Sequence, residues 1–255
     1  MIFMQCRCSS GVLGRAVSIN FLVPSPGKTA PRGVMYLLHG LSDDDSIWYR
    51  RTSVERYAEQ YNLLIVMPDG GRSFYTDAVA GDNYWTFISE ELPDIVENIF
   101  NLRPARENTF AAGLSMGGYG ALKLGLRCPD KFAAVAGLSS VTDIKCRFRA
   151  ETSKSWRPEL YRIFGGISQL APRGNDLFDL AQKAVDSGKQ LPKILSICGR
   201  NDFMIRDNRK FNKFMQQINY PDFHSFERPG SHTWEFWDEH IQDALKFFNC
   251  NTLPE

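Results

Sequence analysis

One stretch constrains the fold of this chain more than any other. Glu107 to Gly120 carries a short apolar run into the pentapeptide Gly113-Leu114-Ser115-Met116-Gly117. A helix-like segment follows from Tyr119 to Arg127 and stops at Cys128-Pro129. Strand, sharp turn and helix together predict a turn that lifts the Ser115 hydroxyl clear of a sheet. Such a turn crowds strand against helix, and glycine on either side removes the Cβ atoms that would clash. The start of the following helix brings free N–H groups beside the serine, where developing negative charge is favoured. An ordinary glycine-rich turn fits the same five letters, so the rest of the chain has to decide.

With 255 residues, 43% apolar and 23% charged, the chain has the composition of a globular protein with a substantial core. No linker, internal repeat or low-complexity tract interrupts it, so a single α/β domain over 1–255 is expected. The formal net charge of +1 supplies no global field to select nucleic acid or an anionic membrane, and neither is expected as a partner. Met1 to Ser10 lacks the apolar stretch of a signal peptide, and no window reaches the length of a membrane span. The six cysteines are scattered. Cys6 and Cys8 share one side of a strand but have no nearby partners at ligand spacing, and Cys198 lies in an apolar run. Free thiols in a cytoplasmic protein, with no metal, are expected.

In chain order, residues 3–23 read as two strands around Gly11 to Gly14, with Val17, Ile19 and Phe21 alternating. Pro24 to Pro31 reads as a loop. Gly33–Leu38, Leu63–Met67, Phe132–Leu138 and Lys193–Cys198 are continuous apolar runs, as in strands buried on both faces. Phe223–Phe226 reads as a last short strand. Helices are expected over Ile47–Tyr61 with Asp45 or Ser46 as cap, over Trp85–Phe100 with a kink at Pro93 or a break near Leu92, after Asp202 to Asn219, and over Trp234–Phe248. Residues 141–190 lose their periodicity at Gly165-Gly166 and Pro172 to Gly174. They are too long for an ordinary connection, which predicts a lid inserted over a site. Lys145 to Arg162 carries six basic residues against two acidic ones, a pattern that fits a solvated face better than an anion site.

The chemistry follows from what a serine needs. Its hydroxyl is a weak nucleophile without a base in hydrogen-bond reach and a group to orient that base. Of the four histidines, only His232 follows the last strand in a glycine-flanked loop, the position expected of the base. Asp202, just past the strand ending at Cys198, is the expected orienting acid. Asp207 is its nearest rival, and a simple helix cap is the other reading of Asp202. His39-Gly40-Leu41 ends an apolar strand, where a backbone N–H can turn into a site, so Leu41 and Met116 are the expected oxyanion donors. The loop from Arg72 to Asn83 leaves the carboxyl end of a strand, the edge where α/β sheets bind ligands. Tyr75 and Trp85, with His39, are therefore expected at the substrate pocket. Phe74 and Tyr84 are further candidates, and core packing is the competing role for each of these aromatic residues.

Four blocks together resemble the esterase D family, also called the "putative esterase" family. They are Tyr36 to Ser42, Val66 to Asp77, Gly113 to Gly120 and Ser231 to Trp237. The likeness runs over nearly the whole chain and is strongest to the bacterial tributyrin-esterase branch. It implies an α/β-hydrolase fold with a mostly parallel sheet, no cofactor, and hydrolysis of short-chain acyl esters. It also implies Ser115, Asp202 and His232 as triad, Leu41 and Met116 as oxyanion donors, and a homo-oligomer. S-formylglutathione hydrolases, carbohydrate acetyl esterases and feruloyl esterases share the machinery. A binding protein on the same scaffold would be expected to lack a triad member.

Overall fold

The protein is described here by a computed structural model. The structure describes residues 1–25, 30–150 and 155–250. Parts of the expected loop at 24–31 and of the 141–190 segment, the side chain of Cys250 and the end of the 1–255 domain lie outside the described residues.

Eight strands form one sheet in the order β1-β2-β4-β3-β5-β6-β7-β8. β1 (Ile2–Ser10) and β2 (Arg15–Val23) make an antiparallel hairpin at one edge, and β2 pairs antiparallel with β4 (Leu63–Pro68). From there β4, β3 (Gly33–Leu38), β5 (Thr109–Leu114), β6 (Ala134–Leu138), β7 (Lys193–Gly199) and β8 (Phe223–Arg228) run parallel.

The unbroken apolar runs are explained by two cores. Side chains alternate across a strand. Val34, Tyr36, Leu38, Leu64 and Val66 thus enter one core, while Met35, Leu37, Leu63, Ile65 and Met67 enter the other. α4 (Leu92–Phe100), α5 (Met116–Arg127), α8 (Leu177–Asp186) and α9 (Ile205–Gln217) cover the first face. α1 (Ile47–Arg51), α2 (Val54–Ala58) and α10 (Trp234–Cys250) cover the second. Both faces are buried, which is why a parallel sheet can read as apolar at every position. Among the described residues, no helix is long and apolar enough to cross a membrane.

Three segments differ from the sequence expectation. The helix expected over 47–61 is two short helices, α1 and α2, broken at Thr52, which is extended. The Asp238 carboxylate on α10 accepts the Ser53 N–H at 2.7 Å and so holds the break. Ser46 stands at the N-cap position of α1 without a capping hydrogen bond. Its N–H and hydroxyl donate instead to Asp44, while Asp45 accepts from the Ser18 hydroxyl. The helix expected over 85–100 starts as α3 (Tyr84–Thr86), widens into a π-helical turn at Phe87–Glu91, and resumes as α4. Pro93 lies in the first turn of α4, where a residue with no N–H forfeits little. The described residues of 141–190 hold the α-helices α6 (Ile144–Arg149), α7 (Arg157–Phe164) and α8, with the 3-10 turn Ile167–Gln169 between α7 and α8. Helices this short present too few turns for a periodicity to emerge.

Candidate active site

Ser115 sits between β5 and α5 with φ 52° and ψ −112°, a strained conformation for a residue with a side chain. The neighbouring glycines show why the sequence permits it. A Cβ on Gly117 would lie 2.2 Å from the Leu38 carbonyl oxygen, and one on Gly113 would lie 2.4 Å from the Gly117 backbone. Backbone hydrogen bonds fix the turn from the side: the Ser115 N–H donates to the Leu138 carbonyl at the end of β6 (2.9 Å), and the Val141 N–H donates to the Ser115 carbonyl (3.1 Å).

The loops after β7 and β8 bring two more side chains to this turn. His232 Nε2 lies 3.1 Å from Ser115 Oγ, and its Nδ1 lies 2.9 Å from Asp202 Oδ2 and 3.1 Å from Oδ1. An ionised carboxylate only accepts, so Nδ1 carries the proton and Nε2 presents its lone pair to the serine hydroxyl. Asp202 is buried. Burial alone would raise its carboxyl, but the hydrogen bonds from His232 and from the Met204 N–H (2.8 Å) outweigh it and hold the acid below its usual range. The ring of His232 stands edge-on to Trp237 at 4.9 Å and tilts against Phe203 at 4.5 Å. The Trp237 indole N–H in turn donates to Ser139 Oγ at 3.2 Å. The rival acid Asp207 pairs with Arg147 instead. His240 on α10 is buried and bonded to Asp243 at 2.8 Å.

Ser115 and His232 open on a cavity of about 800 Å³, with Asp202 buried behind them. Leu41 and Met116 line it beside Ser115. Among the described residues, neither backbone N–H of this pair is taken by another group. Met116 is the first residue of α5, whose leading N–H groups have no intrahelical acceptor.

The expectation that His39, Tyr75 and Trp85 form the pocket is corrected: none of the three lines this cavity. His39 is buried behind it, with Nδ1 on the Gly40 carbonyl (2.7 Å) and Nε2 accepting the Gly70 N–H (2.8 Å). The Tyr75 hydroxyl donates to the His39 carbonyl at 3.0 Å. Both are held inward by backbone groups that would otherwise be buried without partners. Trp85 packs under α5, with the Lys123 ammonium 4.8 Å and the Arg127 guanidinium 4.1 Å from its ring centre. Lys123 is itself fully buried and donates to the Tyr75 carbonyl, Thr76 Oγ1 and Asn175 Oδ1, tying the 72–83 loop to the approach to α8. Burial pushes its ammonium well down. Of the aromatic candidates in that loop, Phe74 alone reaches the cavity wall, stacked on Trp156.

The wall residues that sequence reasoning missed are Trp156, Phe203, Trp234, Trp237 and Arg147. Trp234 and Trp237 are one helical turn apart at the start of α10, directly after His232, and that spacing could have found them. Arg147 belongs to the basic run read as a solvated face. Its side chain is only 11% exposed and faces the cavity.

The family model described as "putative esterase" matches residues 10–248. An acetyl esterase of Caldicellulosiruptor saccharolyticus is 29% identical over 98% of both chains. Among solved structures, the fluorophosphonate-binding serine hydrolase FphF of Staphylococcus aureus superposes with a TM-score of 0.87. It is 33% identical over 97% of this chain and 98% of its own. An S-formylglutathione hydrolase, FrmB, from the same organism gives 0.85 at 33% identity and the same coverage.

Proposed function

The chain belongs to the putative esterase family and has the α/β-hydrolase fold, and on that footing we propose that it is a serine carboxylesterase of short-chain acyl esters, with Ser115, His232 and Asp202 as its triad. The observation that carries the reading is the unbroken relay from Asp202 through His232 to Ser115 Oγ, at 2.9 and 3.1 Å, at the mouth of a water-accessible cavity.

In the proposed reaction Ser115 Oγ attacks the acyl carbonyl while His232 Nε2 takes its proton. The Asp202 carboxylate holds the imidazole in the reactive tautomer and stabilises the cation that forms. The oxyanion is bound by the Leu41 and Met116 N–H groups, aided by the positive end of α5. Collapse expels the alcohol with the proton carried by His232. Water then attacks the acyl-serine by the same steps in reverse order of roles, releasing acid and restoring the serine.

Residues 141–190 act as a lid in this reading. Val141, Arg147 and Trp156 from that segment line the cavity, and the Val79 and Ala80 N–H groups bind it to the neighbouring loop through Ile163 and Arg162. The aromatic wall favours acyl groups of roughly two to six carbons, as in tributyrin-type esters. The free cysteines among the described residues fit a cytoplasmic setting. A thioester substrate is the second reading, favoured by the likeness to the S-formylglutathione hydrolase.

The test is hydrolysis of p-nitrophenyl esters from acetate to decanoate by wild type and S115A, with mass spectrometry after fluorophosphonate treatment. Turnover that falls with chain length, vanishes in S115A and leaves one adduct on Ser115 is expected. Full activity in S115A, or an adduct elsewhere, overturns the assignment.

A further inference from the structure

Among the described residues, Arg147 is the one lysine or arginine in a cavity wall that is otherwise mostly aromatic and aliphatic. The other titratable groups lining it are His232 and Asp43. The guanidinium is held there by Asp207, in the first turn of α9, through one of its five N–H donors. Its Nε is sealed from solvent, but its Nη1 is not, and Nη1 has no acceptor among the described residues. A cation so placed, with donor capacity unused, is an arrangement that an anionic ligand completes.

Loops from different strands supply the cavity lining. Leu41 and Asp43 lie on the loop after β3, on the oxyanion side. Arg147 is tethered to α9, and Phe203 and Met204, which lead into α9, line the wall beside His232. The leaving oxygen has to take its proton from His232 Nε2, so the alcohol half of an ester lies toward that imidazole.

We propose that Arg147 reads a carboxylate on the leaving half of the substrate, so that the preferred esters release a hydroxy acid or another carboxylate-bearing alcohol or thiol. This rests on the serine-esterase reading of the same site. It adds a specificity residue outside the triad, in a segment whose basic run fits a solvated face better than an anion site on sequence alone.

The experiment compares 4-acetoxybenzoate with its uncharged methyl ester analogue, methyl 4-acetoxybenzoate, each corrected for its alkaline hydrolysis rate. Phenyl acetate serves as a control for the chemistry itself. Wild type is expected to favour the carboxylate substrate by about tenfold or more in kcat/KM, as expected for one charge-assisted pair. In R147Q/D207N, which removes the pair without leaving Asp207 unpaired, that preference should vanish, with methyl 4-acetoxybenzoate and phenyl acetate losing less than the carboxylate substrate. R147K should recover part of the preference. Equal rates on the two benzoates by wild type, alongside normal phenyl acetate turnover, overturn the proposal and leave the esterase reading standing. So does a variant that loses all three substrates equally, since Arg147 would then serve only the fold. Failure of wild type on phenyl acetate as well removes both readings.

Discussion

His39 Nε2 accepts the Gly70 N–H at 2.8 Å, and this bond joins the loop after β3 to the loop after β4. The other ring nitrogen holds the Gly40 carbonyl, and Leu41 follows directly. The imidazole is therefore a brace beneath the proposed oxyanion donor. His39→Leu keeps the bulk but strands a buried N–H and a buried carbonyl. It is expected to cost about 2 kcal/mol or more in urea denaturation. It should also lower kcat on a short ester, because Leu41 loses its backing. Unchanged stability would mean that water or a shifted loop satisfies both groups.

Trp237 combines three contacts: its edge-on packing with His232, its ring contact with Trp234 at 5.1 Å, and the indole hydrogen bond to Ser139. Trp237→Leu removes all three. The expected loss is about 2–4 kcal/mol of stability, as for a large-to-small change in a packed wall. Turnover should fall as His232 gains freedom to rotate away from Ser115. Trp237→Phe keeps the wall and drops only the hydrogen bond, so it should lie between Leu and wild type in both measurements.

Much of the fold was legible because its central strands are buried on both sides, and such strands read as apolar runs whatever their partners. The Ser115 turn was legible for a steric reason: few sequences other than glycine on both sides fit so close a strand–helix approach. His232 and Asp202 were legible because strand order fixes which loops meet at the carboxyl edge. The pocket wall was not. Tyr75 and Trp85 sit on the right loop and the start of the right helix, but period alone does not say which side of a buried loop faces a cavity. Phe74 and Tyr75 are adjacent, both with positive φ, and only Phe74 lines the wall. Arg147 was missed because a charged run looks solvated until its partner is known, and Asp207 lies 60 residues away in sequence.

Gly117 offers the sharpest test of the turn. In Gly117→Ala the new methyl would meet the Leu38 oxygen at 2.2 Å and the His39 oxygen at 2.7 Å, both backbone atoms that cannot swing aside. A loss of about 3 kcal/mol or more is expected, with activity falling as the turn opens. Thermal unfolding and ester hydrolysis measured on one preparation would check it. Wild-type stability in this variant would mean that β3 and α5 are farther apart than described.

Asp202→Asn separates the electrostatic role of the acid from its shape. The amide nearly preserves the volume, but it no longer selects the tautomer with the proton on Nδ1. Turnover is expected to fall by about three to four orders of magnitude at neutral pH. Stability carries an independent signature. The folded-state pKa of Asp202 is depressed because the bonds from His232 and Met204 favour the carboxylate more than burial disfavours it. An acid of that kind contributes stability that is fully present above its unfolded pKa, about 3.9, and is lost as pH falls through the lower folded value. The wild-type advantage over D202N should therefore be flat at neutral pH and shrink below about pH 4. Denaturant midpoints of the two proteins measured across that interval check the sign. An advantage that grew on acidification would place the Asp202 pKa above, not below, that of a free carboxyl.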